Sequence, residues 1–144
     1  MDRQAMTEAH SPTDDPAESA GALTRKVIEY DRTMKRLVAE VQDPVDWAPL
    51  SEFVAVDDFE RVGTFLEVQN WSQYTEMLTR WASATESFET SVRRISEFGA
   101  LVYYEIEERH FRGENVNVIN SMTVFEFDIR DKICHMNVYL QQGR

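Results

Sequence analysis

Beyond Ala84 the hydrophobic pattern of this chain changes period and keeps the new one to the end. Before that point apolar residues recur three and four positions apart, as on one face of a helix. After it they alternate with polar residues, as on a strand with one buried face. A chain whose helices precede a run of consecutive strands lacks the strand–helix–strand units of a parallel sheet, so the pattern predicts an α+β fold with the helices on one face of an antiparallel meander. Four long strands are expected at about 86–97, 100–112, 115–128 and 132–142, joined at Phe98-Gly99, Arg112-Gly113-Glu114 and Ile129-Arg130-Asp131.

In the first half, Leu23, Val27, Tyr30, Met34, Leu37 and Val41 share one helical face. That helix should stop near Asp43-Pro44, because the residue before a proline is pushed out of the helical region. A second short helix, with Asp46 as its cap, carries Trp47, Leu50, Phe53 and Val54 inward, ahead of a turn at Asp57-Asp58. A short strand from Phe59 to Phe65 follows, bent at Gly63, and Asn70 caps a third amphipathic helix carrying Trp71, Tyr74, Leu78 and Trp81. Residues 1–20 mix proline, serine, alanine and acids without an apolar period and read as a disordered tail, which leaves 21–144 as one folded domain.

Composition narrows the function. With 42% hydrophobic and 11% aromatic residues the chain can bury a core despite a net charge of -11. Its 26 acidic against 15 basic residues repel phosphate backbones, which argues against nucleic acid and favours a neutral or apolar ligand. The lone Cys134 cannot form an internal disulfide, and nothing resembles a signal peptide or a membrane span, so a cytoplasmic protein with no membrane partner is expected. No glycine-rich phosphate loop or G-x-S-x-G turn is present, and the histidines and cysteine lack tight ligand spacing, so no metal or other cofactor is expected.

The order of elements and three stretches, FVAVDDFERVG after the second helix, SMTVFEFDIRDKI in the third long strand and the closing KICHMNVYLQ, resemble the nuclear transport factor 2-like superfamily over roughly residues 22–142. Its enzyme branch includes SnoaL-like polyketide cyclases, ketosteroid isomerase, scytalone dehydratase and limonene epoxide hydrolase. The resemblance implies a cone-shaped, curved antiparallel sheet with three N-terminal helices on its concave face, a deep apolar pocket, and a homodimer formed through the outer sheet face. It places Tyr30 at the oxyanion-binding tyrosine of the isomerase. At the isomerase's protonated aspartic acid this chain has Thr123, and at the last-strand aspartate of the cyclases and the epoxide hydrolase it has Val138. The acids on which those branches rely are therefore replaced, and no single branch's activity transfers whole.

Alternation on the second long strand puts Val102, Tyr104, Ile106, Glu108 and His110 on the inner face. Glu108 and His110 then stand together near the pocket mouth, where an apolar setting suits a carboxylic acid to proton transfer; the alternative is an ordinary pair on a strand end that reaches solvent. Tyr30 is a candidate donor to a ligand or an amphipathic core residue, while Asp31, about 100° further round the helix, need not share the pocket. Ser121 and Thr123 share a face with Ile119, Phe125 and Phe127 and either orient a ligand or bond across the sheet. Cys134, Met136, Val138 and Leu140 are assigned to the cavity, with Cys134 buried and inert, and His135, Asn137 and Tyr139 to the opposite face.

These readings select Glu108, His110 and Tyr30 as catalytic residues and Tyr104, Ser121, Thr123, Met136, Val138 and Trp71 as substrate-binding residues. The expected activity is that of a cofactor-independent polyketide cyclase or isomerase, of the kind used in antibiotic biosynthesis, acting on an apolar carbonyl compound by proton transfer or by confining it for ring closure. The alternative is a non-catalytic module of the same fold that binds a ligand or a protein partner.

Overall fold

A computed structural model describes residues 21–143, and the expected tail at 1–20 lies outside the described residues. Helix α1 spans Ala22–Val38 and buries Leu23, Val27, Tyr30 and Leu37, as its periodicity predicts. Its N-terminus is capped from a distance: the carboxylate of Glu97, on a later strand, accepts hydrogen bonds from the Thr24 amide at 2.9 Å and the Thr24 hydroxyl at 2.8 Å. The preceding Gly21 makes room for it, since a Cβ there would lie 2.6 Å from a Glu97 oxygen.

The helix ends at Val38, short of the expected stop at Asp43-Pro44. The carboxylate of Asp46 accepts from the amides of Gln42 and Asp43 at 2.9 and 3.0 Å, giving those donors partners outside a helix. Asp46 thus serves the turn from within, and Asp43 is the residue that precedes the 3-10 turn Pro44–Trp47. Helix α2 (Ala48–Ser51) continues from that turn, and Trp47 and Leu50 are fully buried.

The expected strand at Phe59–Phe65 is a hairpin instead: β1 (Glu60–Val62) turns back through 63–67 into β2 (Val68–Gln69). Gly63 is needed here for close approach. A Cβ on it would sit 2.0 Å from the Glu67 carboxylate, which folds over the turn and accepts from the Phe65 amide at 2.9 Å. Leu66 closes the turn at φ +66°, a left-handed conformation uncommon for a residue with a Cβ. Asn70 then caps helix α3 (Trp71–Ala84) as expected, its side chain accepting from the Gln73 amide at 2.9 Å while its own amide donates to the Gln73 side-chain oxygen at 2.9 Å.

The four long strands are β3 (Ser87–Phe98), β4 (Leu101–Arg112), β5 (Asn115–Phe127) and β6 (Ile133–Gln142), close to the predicted bounds. Gly99 and Gly113 take positive φ in two of the connections, as tight reversals require. The sheet order is β2-β1-β6-β5-β4-β3, antiparallel throughout except where β1 runs parallel to β6. Irregularities at Val92/Arg94 and at Glu126/Phe127 bend the strands, so the sheet curls without closing and the helices cover its concave face. Val102, Tyr104, Ile106, Phe125, Ile133 and Met136 face the helices and form the core with them. On the convex face, Arg94 pairs with Glu105, Arg93 with Glu107 at 3.1 Å and Arg109 with Glu89 at 3.3 Å.

Candidate active site

A cavity of about 290 Å³ lies between the concave face and helices α1 and α3. Apolar side chains make most of its wall, among them Met34, Leu78, Trp81, Ile106 and Met136, and polar groups meet it in two places.

The first is built on β4. Period-two alternation, continuous with buried Tyr104 and Ile106, turns Glu108 and His110 inward, and their side chains are only 22% and 15% exposed. The Glu108 carboxylate shares a 2.8 Å hydrogen bond with His110 Nε2 and accepts a 2.9 Å bond from the Ser121 hydroxyl on the neighbouring β5. The His110 ring is stacked on Phe88 at 5.7 Å and meets Trp81 edge-on, which restrains the imidazole that restrains the carboxylate. Thr90 pairs with Glu108 across β3 and β4, and its hydroxyl is buried with no hydrogen-bond partner among the described residues.

The second place joins α1, α3 and β1. Tyr30 is 3% exposed and its hydroxyl, too, has no partner in hydrogen-bonding geometry among the described residues, although it interacts with the hydroxyl of Tyr74. The guanidinium of Arg61 lies over the Tyr74 ring at 5.1 Å and donates to Gln69 at 2.9 Å, while its Nε is left without a partner. Between the two places, the Tyr104 hydroxyl donates to Asp31 at 3.0 Å, and Lys35 holds the same carboxylate oxygen at 3.1 Å.

Burial pushes the Tyr30 hydroxyl well above the ordinary tyrosine range, with Tyr74 adding to the rise and Arg61 opposing it. Burial also raises Tyr74, again against Arg61, and raises Tyr104, where the Asp31 carboxylate reinforces it. The folded protein therefore keeps these three protons after the unfolded chain has lost them. Their contribution to stability is complete below about pH 10 and is lost as pH climbs from there toward the folded values, each group giving a slope of about 1.4 kcal/mol per pH unit. Native-state tyrosinate absorbance should show these three of the five tyrosines ionising late, with the melting temperature falling over the same range. Ionisation of all five together near the ordinary tyrosine value would contradict the enclosure.

No protein-family profile matches the chain, and no curated protein matches it. Solved structures do. An NTF2-like protein from Anabaena variabilis ATCC 29413 superposes with a TM-score of 0.68 at 14% identity, over 87% of this chain and 95% of that one. A protein from Shewanella putrefaciens CN-32 assigned as a SnoaL-like polyketide cyclase gives 0.69 at 11% identity, over 91% of both chains. An LEH-like epoxide hydrolase from M. tuberculosis gives 0.60 at 18% identity, over 81% of this chain and 84% of that one. The chain has the NTF2-like fold.

Within the NTF2-like fold, the structure brings Tyr30, Tyr104, Glu108, His110, Ser121, Thr123, Met136 and Val138 to one cavity. Trp71 is not in its lining: it packs edge-on against Phe59 and Tyr74, at the start of α3. Cys134 is not buried as expected. The shift of register between β5 and β6 takes it off the inward alternation, and it is half-buried beside the Glu126 carbonyl, with burial raising its thiol pKa. Asp31 enters the cavity despite its angle from Tyr30, because Tyr104 reaches up from the sheet to meet it.

Sequence reasoning also passed over Arg61, Tyr74 and Thr90. The signal for Arg61 was present: in Phe59-Glu60-Arg61 the alternation that buries Phe59 also buries the arginine. Among the described residues no group of three or more histidine, cysteine, aspartate or glutamate side chains is placed to hold a metal ion, and no helix is long and apolar enough to cross a membrane.

Proposed function

We propose that this protein moves a proton on an apolar, carbonyl-bearing small molecule of polyketide type, leading to isomerisation or ring closure. The observation that supports this reading is a carboxylate, Glu108, clasped by His110 and Ser121 at the wall of an apolar cavity that also contains the buried hydroxyl of Tyr30. The Tyr104 hydroxyl is engaged by Asp31 and the Ser121 hydroxyl by Glu108, whereas the Tyr30 hydroxyl has only the hydroxyl of Tyr74 beside it, and Tyr30 is the group we assign to a substrate carbonyl.

In the proposed step Glu108 takes a proton from the carbon beside the carbonyl. The C–H electron pair becomes the enolate, whose oxygen Tyr30 receives by hydrogen bonding. The enolate then either regains a proton from Glu108 at another carbon, which is isomerisation, or its carbon bonds to a second carbonyl of the same molecule, whose π pair moves to oxygen and takes the proton back from Glu108, which closes a ring. Tyr30, with its raised pKa, remains a donor throughout. The fold's relatives support the class: one neighbour is assigned as a polyketide cyclase and another is an LEH-like epoxide hydrolase. The outer face of β5 and β6, where Val118 and Tyr139 are exposed, is the surface we assign to a homodimer.

The test uses deuterium exchange, which needs no knowledge of the natural substrate. A panel of small apolar ketones that bind the protein, found by thermal shift, is incubated in heavy water and followed by NMR. Exchange beside the carbonyl at a rate well above buffer, for at least one bound ketone, is the expected result. Ketones that bind tightly and exchange at the buffer rate would instead assign the cavity to a non-catalytic binding module.

A further inference from the structure

Arg61 is a permanent cation that is only 9% exposed, in a cavity otherwise lined mainly by hydrocarbon. Burying a guanidinium is costly unless its donors are satisfied and its charge is matched. Neither condition is fully met among the described residues, although the guanidinium also hydrogen-bonds the Tyr74 hydroxyl. Its Nε has no hydrogen-bond partner, its bond to Gln69 is to a neutral amide, and its nearest carboxylate, Glu67, stands 3.8 Å away with a side chain 44% exposed. Asp31, by contrast, is already neutralised by Lys35. The cavity thus holds one buried, loosely matched positive charge with a spare donor, close to the buried hydroxyl of Tyr30.

From this imbalance we infer that the molecule bound in the cavity is an acid, whose carboxylate sits against Arg61 while its apolar body lies along the wall toward Glu108. The inference rests on the reading of this cavity as the binding site and adds the substrate's charge. A carboxylate fits better than a phosphate. Its planar pair of oxygens matches the guanidinium fork, and its single charge meets less repulsion from Asp31 and Glu108, which line the same cavity. Glu67 is the counterion a ligand's carboxylate would join: it leans over Gly63 toward Arg61 at 3.8 Å, near enough to offset the charge without a hydrogen bond to the guanidinium.

The experiment compares 2-naphthylacetate with 2-naphthylacetamide, which share a shape and differ in charge, by calorimetric titration. The wild-type protein should bind the acid at least about tenfold more tightly than the amide, in line with a charge-assisted hydrogen bond. Arg61→Gln should bring the two within about twofold, while Arg61→Lys, which keeps the charge, should retain part of the preference. Glu67→Gln, which removes the competing carboxylate and still accepts from the Phe65 amide, should tighten the acid several-fold and leave the amide unchanged. Glu108→Gln should retain the preference, so that loss of proton transfer and loss of acid recognition are read separately. Equal affinity of the two compounds for the wild type, binding of neither, or a preference that survives Arg61→Gln in a protein that melts normally, would each overturn the inference.

Discussion

Replacing Glu108 by glutamine is expected to slow proton exchange on a bound ketone by about 10²–10⁴-fold, the usual contribution of a positioned general base. That loss corresponds to about 3–5 kcal/mol of barrier. The substitution is conservative in shape. A glutamine oxygen can still accept from Ser121 and its amide can face His110, so both strand contacts have a replacement. What disappears is the ability to take a proton. Ligand affinity should therefore change by no more than a few-fold, and the melting temperature by little, while the exchange rate collapses. Exchange rates measured under saturating ketone, beside a binding isotherm for each protein, separate these effects. A fall smaller than tenfold would remove Glu108 from the proton transfer and leave confinement of a reactive substrate as the cavity's contribution.

The largest effect on stability is expected at Trp47. It is the last residue of the 3-10 turn, fully buried, and its indole N–H donates to the Thr79 hydroxyl of α3 at 3.0 Å, while that hydroxyl donates onward to the Thr75 carbonyl at 2.7 Å. Trp47→Ala removes the packing that holds the 3-10 turn and α2 against α3, and leaves a void that the covalently linked turn can only partly close. The expected cost is about 3–5 kcal/mol, a large share of the stability of an ordinary domain. Trp47→Phe restores most of the volume and loses the hydrogen bond, so about 1–2 kcal/mol is expected. Urea unfolding of the three proteins measures both. An alanine variant as stable as the phenylalanine one would mean that this layer does not hold α3 in place. Because α3 carries Tyr74, Leu78 and Trp81 into the cavity wall, a loosened Trp47 variant should also bind ligands less tightly.

The legible part of the site lay where the backbone is regular. On β4 a residue's face is set by counting in twos from Val102, so Glu108 and His110 followed once Tyr104 and Ile106 were placed inside. What counting could not supply was whether that strand end stays under the helices or runs out to solvent. The aromatic cover of Trp81 and Phe88 decides it, and those side chains come from α3 and β3. The ends of α1 and of the expected strand at Phe59–Phe65 were misplaced for a related reason. In both places a carboxylate two to four residues on, Asp46 or Glu67, takes up backbone amides. Such side-chain competition is local in sequence yet invisible to a hydrophobic period.

By itself, then, the sequence determined the class of fold, the four long strands, and the inward faces of β4 and β5, because these depend on short-range periodicity and burial. Only the tertiary structure decided the chemistry of the cavity. Asp31 meets Tyr104 across 73 residues of chain, and Arg61 enters the cavity on a strand that pairs parallel with β6. Cys134 leaves the inner face at a break in register. Long-range pairing and bulges carry no period of their own: they are set by which surfaces meet when the helices close on the curled sheet, and that meeting is what places one loosely paired buried cation in the same cavity as one clasped carboxylate.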